Sequence, residues 1–427
     1  MLESIHPDWH FQVSMLEFLH LNIWVKNLSL EVSHLDIDQI QTFLKENNIS
    51  AWLLYDFRGI NPIAQSIAGL LDRKITRRWF CYLPSAGKPF WLIHQIELSH
   101  FYDIPGEIQS YSSWNQLHKA LEQMLTPGSK VAMEYSPNGE IPYISRVDGG
   151  TLELIRSFGI DLCSSADLVQ LIEARISPDQ YTGHLESAKC ILQAKDYAFK
   201  WIGDQTRRGQ PITEYDVQQI ILDQFDTMDL ITDHPPIVAV NANSSDPHYS
   251  PSSTKHKPIN QGDFVLIDLW AKQKNPDAIF ADTTWTGFVG KKTPDKISKI
   301  FDIVRRARDL AVEFITEHIE VGKKVYGYEV DDVVRNFISQ HGYGDFFPHR
   351  TGHSIGTHIH GNGANIDNYE TMDQRLLVPS TCFSIEPGIY LNDFGVRTEI
   401  DVFLAYQGKG GAKVTTVPVQ NQVLRLL

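Results

Sequence analysis

Gly395-Val396-Arg397-Thr398-Glu399-Ile400-Asp401 reads as a strand, in which side chains alternate faces with a period of two. Val396, Thr398 and Ile400 share one face, and Arg397, Glu399 and Asp401 share the other. Taken alone, two carboxylates and a guanidinium in a row read as a solvated outer face with ion pairing. The preceding stretch, Thr381-Cys-Phe-Ser-Ile-Glu386-Pro-Gly388, repeats the pattern, with Phe383 and Ile385 opposite Ser384 and Glu386. Its Pro-Gly is a turn signal, so Glu386 is presented at a strand end, a common address for functional groups.

Further upstream, Asp263-Phe-Val-Leu-Ile-Asp268 is apolar enough to be a buried strand, and Asp268 ends it. A buried carboxylate needs a partner. The next candidate, Ile279-Phe-Ala-Asp282-Thr-Thr-Trp-Thr286, carries a second Asp in a similar setting. Either two strands bring two acids together or each Asp caps a turn by itself, and the pair alone does not choose. Finally, Arg350-Thr-Gly-His353-Ser-Ile-Gly-Thr-His358-Ile-His360-Gly361 follows closely on His349. A single histidine is more often a satisfied polar residue than a ligand, but four in twelve residues point to metal chemistry. Imidazole suits borderline transition metals and carboxylates suit harder ones such as Mn²⁺.

Strands that follow strands (263–270, 279–288, 381–391 and 395–406) predict an α+β architecture with an antiparallel sheet. Helical periodicity surrounds them. Ser177-Pro178-Asp179-Gln180 is a capping box with Pro in the first turn, and the helix it opens runs to Gly209 with Tyr181, Leu185, Ala188, Leu192, Ala198 and Trp201 on its apolar side. Thr213 and Thr293 each begin another helix, the latter carrying Ile297, Ile300, Phe301, Val304, Leu310, Ala311 and Phe314. A fourth runs from Tyr328 to Gly342. Ahead of Ser177 the chain alternates helices, such as 113–125, with short apolar runs at 51–55, 78–83, 90–93 and 130–133, which predicts an α/β domain over residues 34–170.

The length of 427 residues suits two or three domains, and 42% hydrophobic with 21% charged residues is globular composition. A formal charge of −14 with no Lys/Arg-rich run argues against a nucleic-acid partner. Cys81, Cys163, Cys190 and Cys382 are scattered singly, which fits reduced thiols in a cytoplasm rather than a zinc ribbon or disulfide framework. The apolar stretch 13–25 contains Glu17, His20 and Asn22 and lacks a preceding Lys or Arg, so it is not expected to be an export signal. No run approaches the ~20 residues of a membrane span. Residues 1–33 read as an N-terminal extension.

The order Asp268, Asp282, His353, Glu386, Glu399 resembles the pita-bread metallopeptidase family of methionine aminopeptidases, Xaa-Pro aminopeptidases and prolidases. Gly352-His353-Ser-Ile-Gly356 resembles its Gly-His-x-Ile-Gly segment, Phe383-Ser-Ile-Glu386-Pro-Gly its first glutamate motif and Gly395-Val-Arg-Thr-Glu399 its second. His360 resembles the family's substrate-facing histidine and Asp246-Pro-His248-Tyr its upstream active-site histidine. The preceding domain resembles that of creatinase, prolidase and Xaa-Pro aminopeptidase. The resemblance therefore implies a creatinase-like domain over 34–170 and a catalytic domain over 177–427, with a curved antiparallel sheet covered by helices.

It also implies a chemistry: two divalent ions, Mn²⁺ first and Co²⁺ or Zn²⁺ as alternatives, held by Asp268, Asp282, His353, Glu386 and Glu399, with Asp282 and Glu399 bridging. A water shared by the ions is the nucleophile, Glu386 shuttles its proton, His248 and His360 contact the substrate, and Arg397 and Tyr390 support the bridging carboxylate. The substrate is a short peptide with a free amino terminus and proline in the second position, and relatives with this N-terminal domain imply a homodimer. Four carboxylates balance two divalent ions, whereas the empty cluster would gather like charges. The rival readings are a metal-free creatinase-like hydrolase and a binding module on a retired peptidase scaffold; both predict lost ligands, and all five are present here.

Three departures stand out. Asp268 and Asp282 are fourteen positions apart, which predicts a lengthened hairpin around 272–277 and leaves Asp277 as a weaker rival to Asp282. Gly361 stands where an acidic residue is usual, which opens space beside His360. Glu399 and Asp401 are separated by Ile400 in place of an acidic pair.

Overall fold

Short apolar runs bounded by turns form strands when both faces can be buried, and six of them make the first sheet. The structure, a computed structural model, describes residues 35–405 and 411–427, so the expected extension over 1–33 lies outside the described residues. The strands are β1 (Ala51–Asp56), β2 (Trp79–Pro84), β3 (Phe90–His94), β4 (Glu107–Tyr111), β5 (Lys130–Met133) and β6 (Asp161–Ser164), in the spatial order β4-β3-β2-β1-β5-β6. β1 runs antiparallel to β2 and parallel to β5. Its alternate residues feed two cores: Trp52 and Leu54 pack with Leu44 of the Ile37–Glu46 helix, and Leu53 and Tyr55 pack with Leu117 and Leu121 of the Trp114–Met124 helix. Four of these strands coincide with the expected apolar runs. β4 and β6 are the outer strands, largely unburied and half polar, so they carry no such signal.

The second half builds on β7 (Leu230–Ile231), β8 (Ile237–Val240), β9 (Phe264–Gln273) and β10 (Ala281–Phe288), with β17 (Leu424–Arg425) parallel to β10 at the edge. β9 pairs antiparallel with β7, β8 and β10. A four-stranded antiparallel sheet, β11 (Ser354–Ile355), β12 (Cys382–Ile385), β15 (Ile400–Leu404) and β16 (Ala412–Val414), lies against it, together with the β13 (Gly388–Tyr390) and β14 (Gly395–Arg397) ribbon. The predicted strands 381–391 and 395–406 are thus each divided in two. The helices Pro178–Arg207, Glu214–Thr227, Asp295–Glu320 and Gly327–Gln340 pack around these sheets. Among the described residues, no helix is long and apolar enough to cross a membrane, and the four cysteines form no disulfide.

Two helix faces differ from the periodicity reading. The capping box at Ser177 and Gln180 is formed, but Leu185 is 37% exposed, and His184, Ser187 and Lys195 are buried instead. Lys195 lies 3.5 Å over the Trp285 ring, so its stem and charge are both accommodated. The helix expected from Thr293 begins at Asp295 behind Pro294, with no side-chain cap. On its inner face Leu310 and Phe314 are only partly buried, while Arg308 is fully buried. Arg308 Nη1 donates to Thr398 Oγ1 and to the Gln420 carbonyl, each at 3.0 Å. Gln420 in turn pairs with the backbone of Thr286, its Nε2 donating at 2.6 Å and its Oε1 accepting at 3.0 Å.

Arg308 therefore ties a helix to β10 and to the link between β14 and β15. Replacing it by alanine strands a buried carbonyl and hydroxyl, so Arg308→Ala should cost about 2–3 kcal/mol. Urea unfolding followed by circular dichroism is the check, and an unshifted midpoint would remove this anchor from the account.

Candidate active site

The β9–β10 register sets the first two acids. Asp268 lies opposite Thr284, and Trp270 lies opposite Asp282, so all four side chains project from one face of the hairpin. The fourteen-residue spacing is absorbed in the loop beyond Ala271 and Ala281. There Lys272 Nζ donates to the Thr357 carbonyl at 2.9 Å and the Pro276 carbonyl at 3.1 Å, so the lengthened hairpin props the loop that carries His360. Asp277 is exposed in this loop and stands outside the acid cluster.

The link Thr398–Glu399 delivers the next group. Glu399 N–H reaches the Thr284 carbonyl at 3.3 Å, Thr283 Oγ1 donates to the Glu399 carbonyl at 3.1 Å, and Thr284 Oγ1 donates to Glu399 Oε2 at 2.8 Å. Asp401 Oδ2 accepts the backbone N–H of Asp282 at 2.9 Å. The Arg397–Glu399–Asp401 face is thus a buried interface between two sheets, not a solvated one. β12 ends just before Glu386, whose N–H donates to the Thr351 carbonyl at 2.7 Å. The Ser384 hydroxyl donates to Glu386 Oε1 at 3.2 Å and accepts from the backbone N–H of His353 at 3.0 Å. A Cβ at Gly352 would sit 2.0 Å from the Ser384 carbonyl, so only glycine lets the His353 segment approach β12 this closely.

These elements converge. His353 Nε2 lies 3.6 Å from Asp282 Oδ2 and 3.5 Å from Glu386 Oε1. Asp282, His353 and Glu399 each offer a ligand atom, all within 4.8 Å of one another. Asp268 Oδ1, Asp282 Oδ1 and Glu399 Oε1 are buried without a hydrogen-bond partner. Buried acceptors are ordinarily satisfied, so orphaned carboxylate oxygens beside a buried imidazole are what a divalent cation would take up; the residues present fit a metal. His353 Nδ1 faces the Ser354 carbonyl at 3.2 Å, which leaves Nε2 turned to the acids.

The electrostatics agree. Burial first, and then the neighbouring acids, raise Asp282 and Glu399 well above the carboxylate range. Burial pushes Glu386 up to about 7, against the opposing pull of Arg397 and Arg350. Burial and then His360 hold His353 well below its ordinary value, so it is neutral. Arg397 is the compensating cation: Nη2 donates to Asp268 Oδ2 at 2.5 Å, Nε to Thr284 Oγ1 at 3.1 Å and Nη1 to the Tyr390 hydroxyl at 2.9 Å.

Tyr390 also lies 2.7 Å from His349 Nε2, and burial followed by Arg397 pushes His349 down to about 3. His349, Thr284, Trp270 and Asp401 were not singled out by the sequence for these roles. His349 is separated from Tyr390 by forty-one positions, and no spacing rule joins them. Trp270 is partly exposed beside the two aspartates, its Nε1 donating to Asp233 at 2.7 Å, and offers an apolar wall.

Of the remaining expected residues, His360 is exposed at its outer edge and packs edge-on against His353 with ring centroids 4.5 Å apart, and the partial desolvation of its ring, followed by Arg350, lowers its pKa. His248 is exposed and close enough for its charge to act on His360. His358 is exposed and stands outside the group. Gly361 does not open space: a Cβ there would lie 2.9 Å from Ser354 Oγ and 3.3 Å from Gly356 N, so the position belongs to a packed turn.

A buried set of acids and a neutral imidazole gathered where two sheets meet is an arrangement suited to a metallopeptidase. The chain belongs to metallopeptidase family M24, whose sequence pattern matches residues 184–405. An uncharacterized peptidase of Staphylococcus saprophyticus is 29% identical over 266 residues, which cover 60% of this chain and 67% of that one. Among solved structures, a dipeptidase from Mycobacterium ulcerans superposes with a TM-score of 0.67 at 18% identity, covering 91% of this chain and 96% of that one. A prolidase from Thermococcus sibiricus does so with a TM-score of 0.59 at 21% identity, covering 91% and 98%. The fold is the pita-bread fold, preceded by the smaller α/β unit.

A carboxyl whose pKa is raised on folding stabilises at low pH, and that contribution is lost as the pH rises through the folded value. For Glu386 the window runs from 4.5 to about 7, and Asp282 and Glu399 act in the same direction. Chelator-treated protein should therefore melt lower at about pH 8 than at about pH 5.5, and Mn²⁺ should raise the melting temperature more at the higher pH. Scanning calorimetry with and without Mn²⁺ tests this; equal metal shifts at both values would contradict it.

Proposed function

We propose that the chain hydrolyses the Xaa-Pro bond at the free amino terminus of short peptides with two divalent ions, Mn²⁺ first among them. The observation that carries this reading is the convergence of orphaned oxygens of Asp268, Asp282 and Glu399 with His353 Nε2 beside Glu386. Asp268, Asp282, His353, Glu386 and Glu399 would hold the ions; by the family resemblance Asp282 and Glu399 would be shared between them, Asp268 would serve one, and His353 with Glu386 the other. Bound there, two ions would lower the pKa of a shared water and polarise the scissile carbonyl.

The protein's own groups do the rest. Glu386, beside the ions, would take the proton of the attacking water and return it to the leaving amine. His360, kept neutral by its low pKa, presents an N–H to an oxyanion together with His248. Arg397 fixes Asp268 and, through Thr284, Glu399; Tyr390, itself bonded to His349, holds Arg397. Proline's tertiary amide has no N–H to satisfy, and the Trp270 surface suits its ring.

We further assign residues 34–170 to a creatinase-like domain and 177–427 to the catalytic domain, and take the working form to be a cytoplasmic homodimer. A clean 48.6 kDa species in light scattering would overturn the dimer.

Asp282→Asn and Glu399→Gln should each lower kcat by about 10³-fold or more and reduce bound metal, with the circular dichroism spectrum retained. Wild-type turnover with two bound ions in either variant would sink the ligand assignment. Substrate choice is tested with Ala-Pro, Ala-Pro-Ala, Met-Ala-Ser and creatine with Mn²⁺ supplied. Cleavage of Met-Ala-Ser alone would exclude the proline reading, and metal-free turnover of creatine would favour the creatinase-like alternative.

A further inference from the structure

His248 is exposed, and among the described residues its imidazole has no hydrogen-bond partner; its backbone N–H donates to Asp246 Oδ1 at 3.0 Å. The loop that carries it therefore sets its position. This loop leaves β8 at Val240 and returns towards β9 through Lys257. Two contacts tie it to the β13–β14 ribbon: Ser244 Oγ accepts the Gly395 N–H at 2.9 Å, and Ser245 Oγ donates to the Leu391 carbonyl. The Pro247 carbonyl, directly before His248, accepts from Arg397 Nη1 at 3.5 Å, so the loop reaches the guanidinium that holds Asp268.

The other anchor is a single buried side chain. Glu214 is the first residue of the Glu214–Thr227 helix and is fully buried. Its Oε1 accepts from the Val240 N–H at 2.7 Å and from Asn243 Nδ2 at 2.9 Å. Its Oε2 accepts from the Tyr249 hydroxyl at 2.5 Å, the Lys257 N–H at 2.7 Å and Asn243 Nδ2 at 3.1 Å. The Glu214 N–H in turn donates to the Lys257 carbonyl at 3.0 Å. Burying a carboxylate is costly unless its oxygens are satisfied, and all four residues that satisfy this one belong to the same loop. One side chain thus holds both ends of the loop and the residue next to His248.

We propose that Glu214 is a positioning residue for hydrolysis, fixing the loop so that the His248 imidazole is held where the oxyanion develops. The inference rests on the role given to His248 above. A glutamine at this position keeps the volume but turns one oxygen into an NH₂ donor. Whichever oxygen is replaced, the N–H of Val240 or of Lys257 then faces a donor, and one end of the loop is released.

The test is a kinetic double-mutant cycle on the Mn²⁺-loaded full chain, with Ala-Pro, or Met-Ala-Ser if proline peptides are not cleaved. His248→Ala should lower kcat about 100-fold and Glu214→Gln about tenfold, each with KM within about twofold of the wild type. The double variant should lose no more than about 100-fold, because a loop without its imidazole has nothing left to position. Tyr249→Phe should lower kcat about threefold and be silent in the His248→Ala background. Bound Mn²⁺ should be unchanged throughout. Wild-type kcat in Glu214→Gln beside an impaired His248→Ala would overturn Glu214 and leave His248 standing. Losses that multiply in the double variant would mean general damage and overturn the proposal. An unimpaired His248→Ala would sink the role of His248 and this proposal with it. If Glu214→Gln fails to fold, Tyr249→Phe decides by the same cycle. Cleavage of neither peptide by the wild type overturns both readings.

Discussion

Asp268, Asp282, Glu386, Glu399 and Asp401 crowd into a space with a single buried guanidinium, that of Arg397, among them. Like charges in a dry setting repel and resist ionisation, so this arrangement persists only because rigid backbone on several strands holds each acid in place. Arg397 binds Asp268 directly and reaches Glu399 through Thr284. The remaining negative charge is a standing demand for cations. That demand explains why the family's metal dependence and this chain's fold are aspects of one arrangement.

The carboxylates come from four different strand contexts, β9, β10, the end of β12 and the β14–β15 segment, and their meeting depends on how two sheets abut. Asp401 links the sheets by accepting the Asp282 N–H, and Glu399 does so through Thr283 and Thr284. Arg308 and Gln420 brace the same seam from the helical side. Gly352 lets the histidine segment press against β12. At Gly352 the approach is backbone to backbone, and the other links run through buried side chains, so added bulk at either kind of contact displaces a ligand.

The N-terminal half is not an inert attachment. Gln170 donates to the Leu376 carbonyl at 2.9 Å and accepts from Ala364 N–H at 2.7 Å, and Glu173 accepts from Asn362 at 2.6 Å. Tyr143 meets Arg350. The first three contacts fall between His353 and Glu386 and the last just ahead of His353, so the N-terminal half packs against the segments that carry the histidine and acid cluster.

Much of this was legible in the residues alone. Period-two patterning located the acid-bearing strands, the capping box at Ser177 located a long helix, and the family motif order placed the five candidate ligands. Those signals are local, because a strand's faces and a helix's cap are set by neighbours a few positions away. What the tertiary structure decided is long-range. Whether Arg397, Glu399 and Asp401 face water or a second sheet depends on β10, more than a hundred positions upstream. Whether the fourteen-residue gap breaks the aspartate pair depends on the register that sets Asp268 opposite Thr284. The burial of Arg308 and Lys195, the link from His349 through Tyr390 to Arg397, and the placing of Gly361 in a packed turn likewise arise from segments that meet only on folding. Hydrogen bonds and desolvation act through space, and the alternation of residues along a chain carries no record of which distant strand will lie across from it.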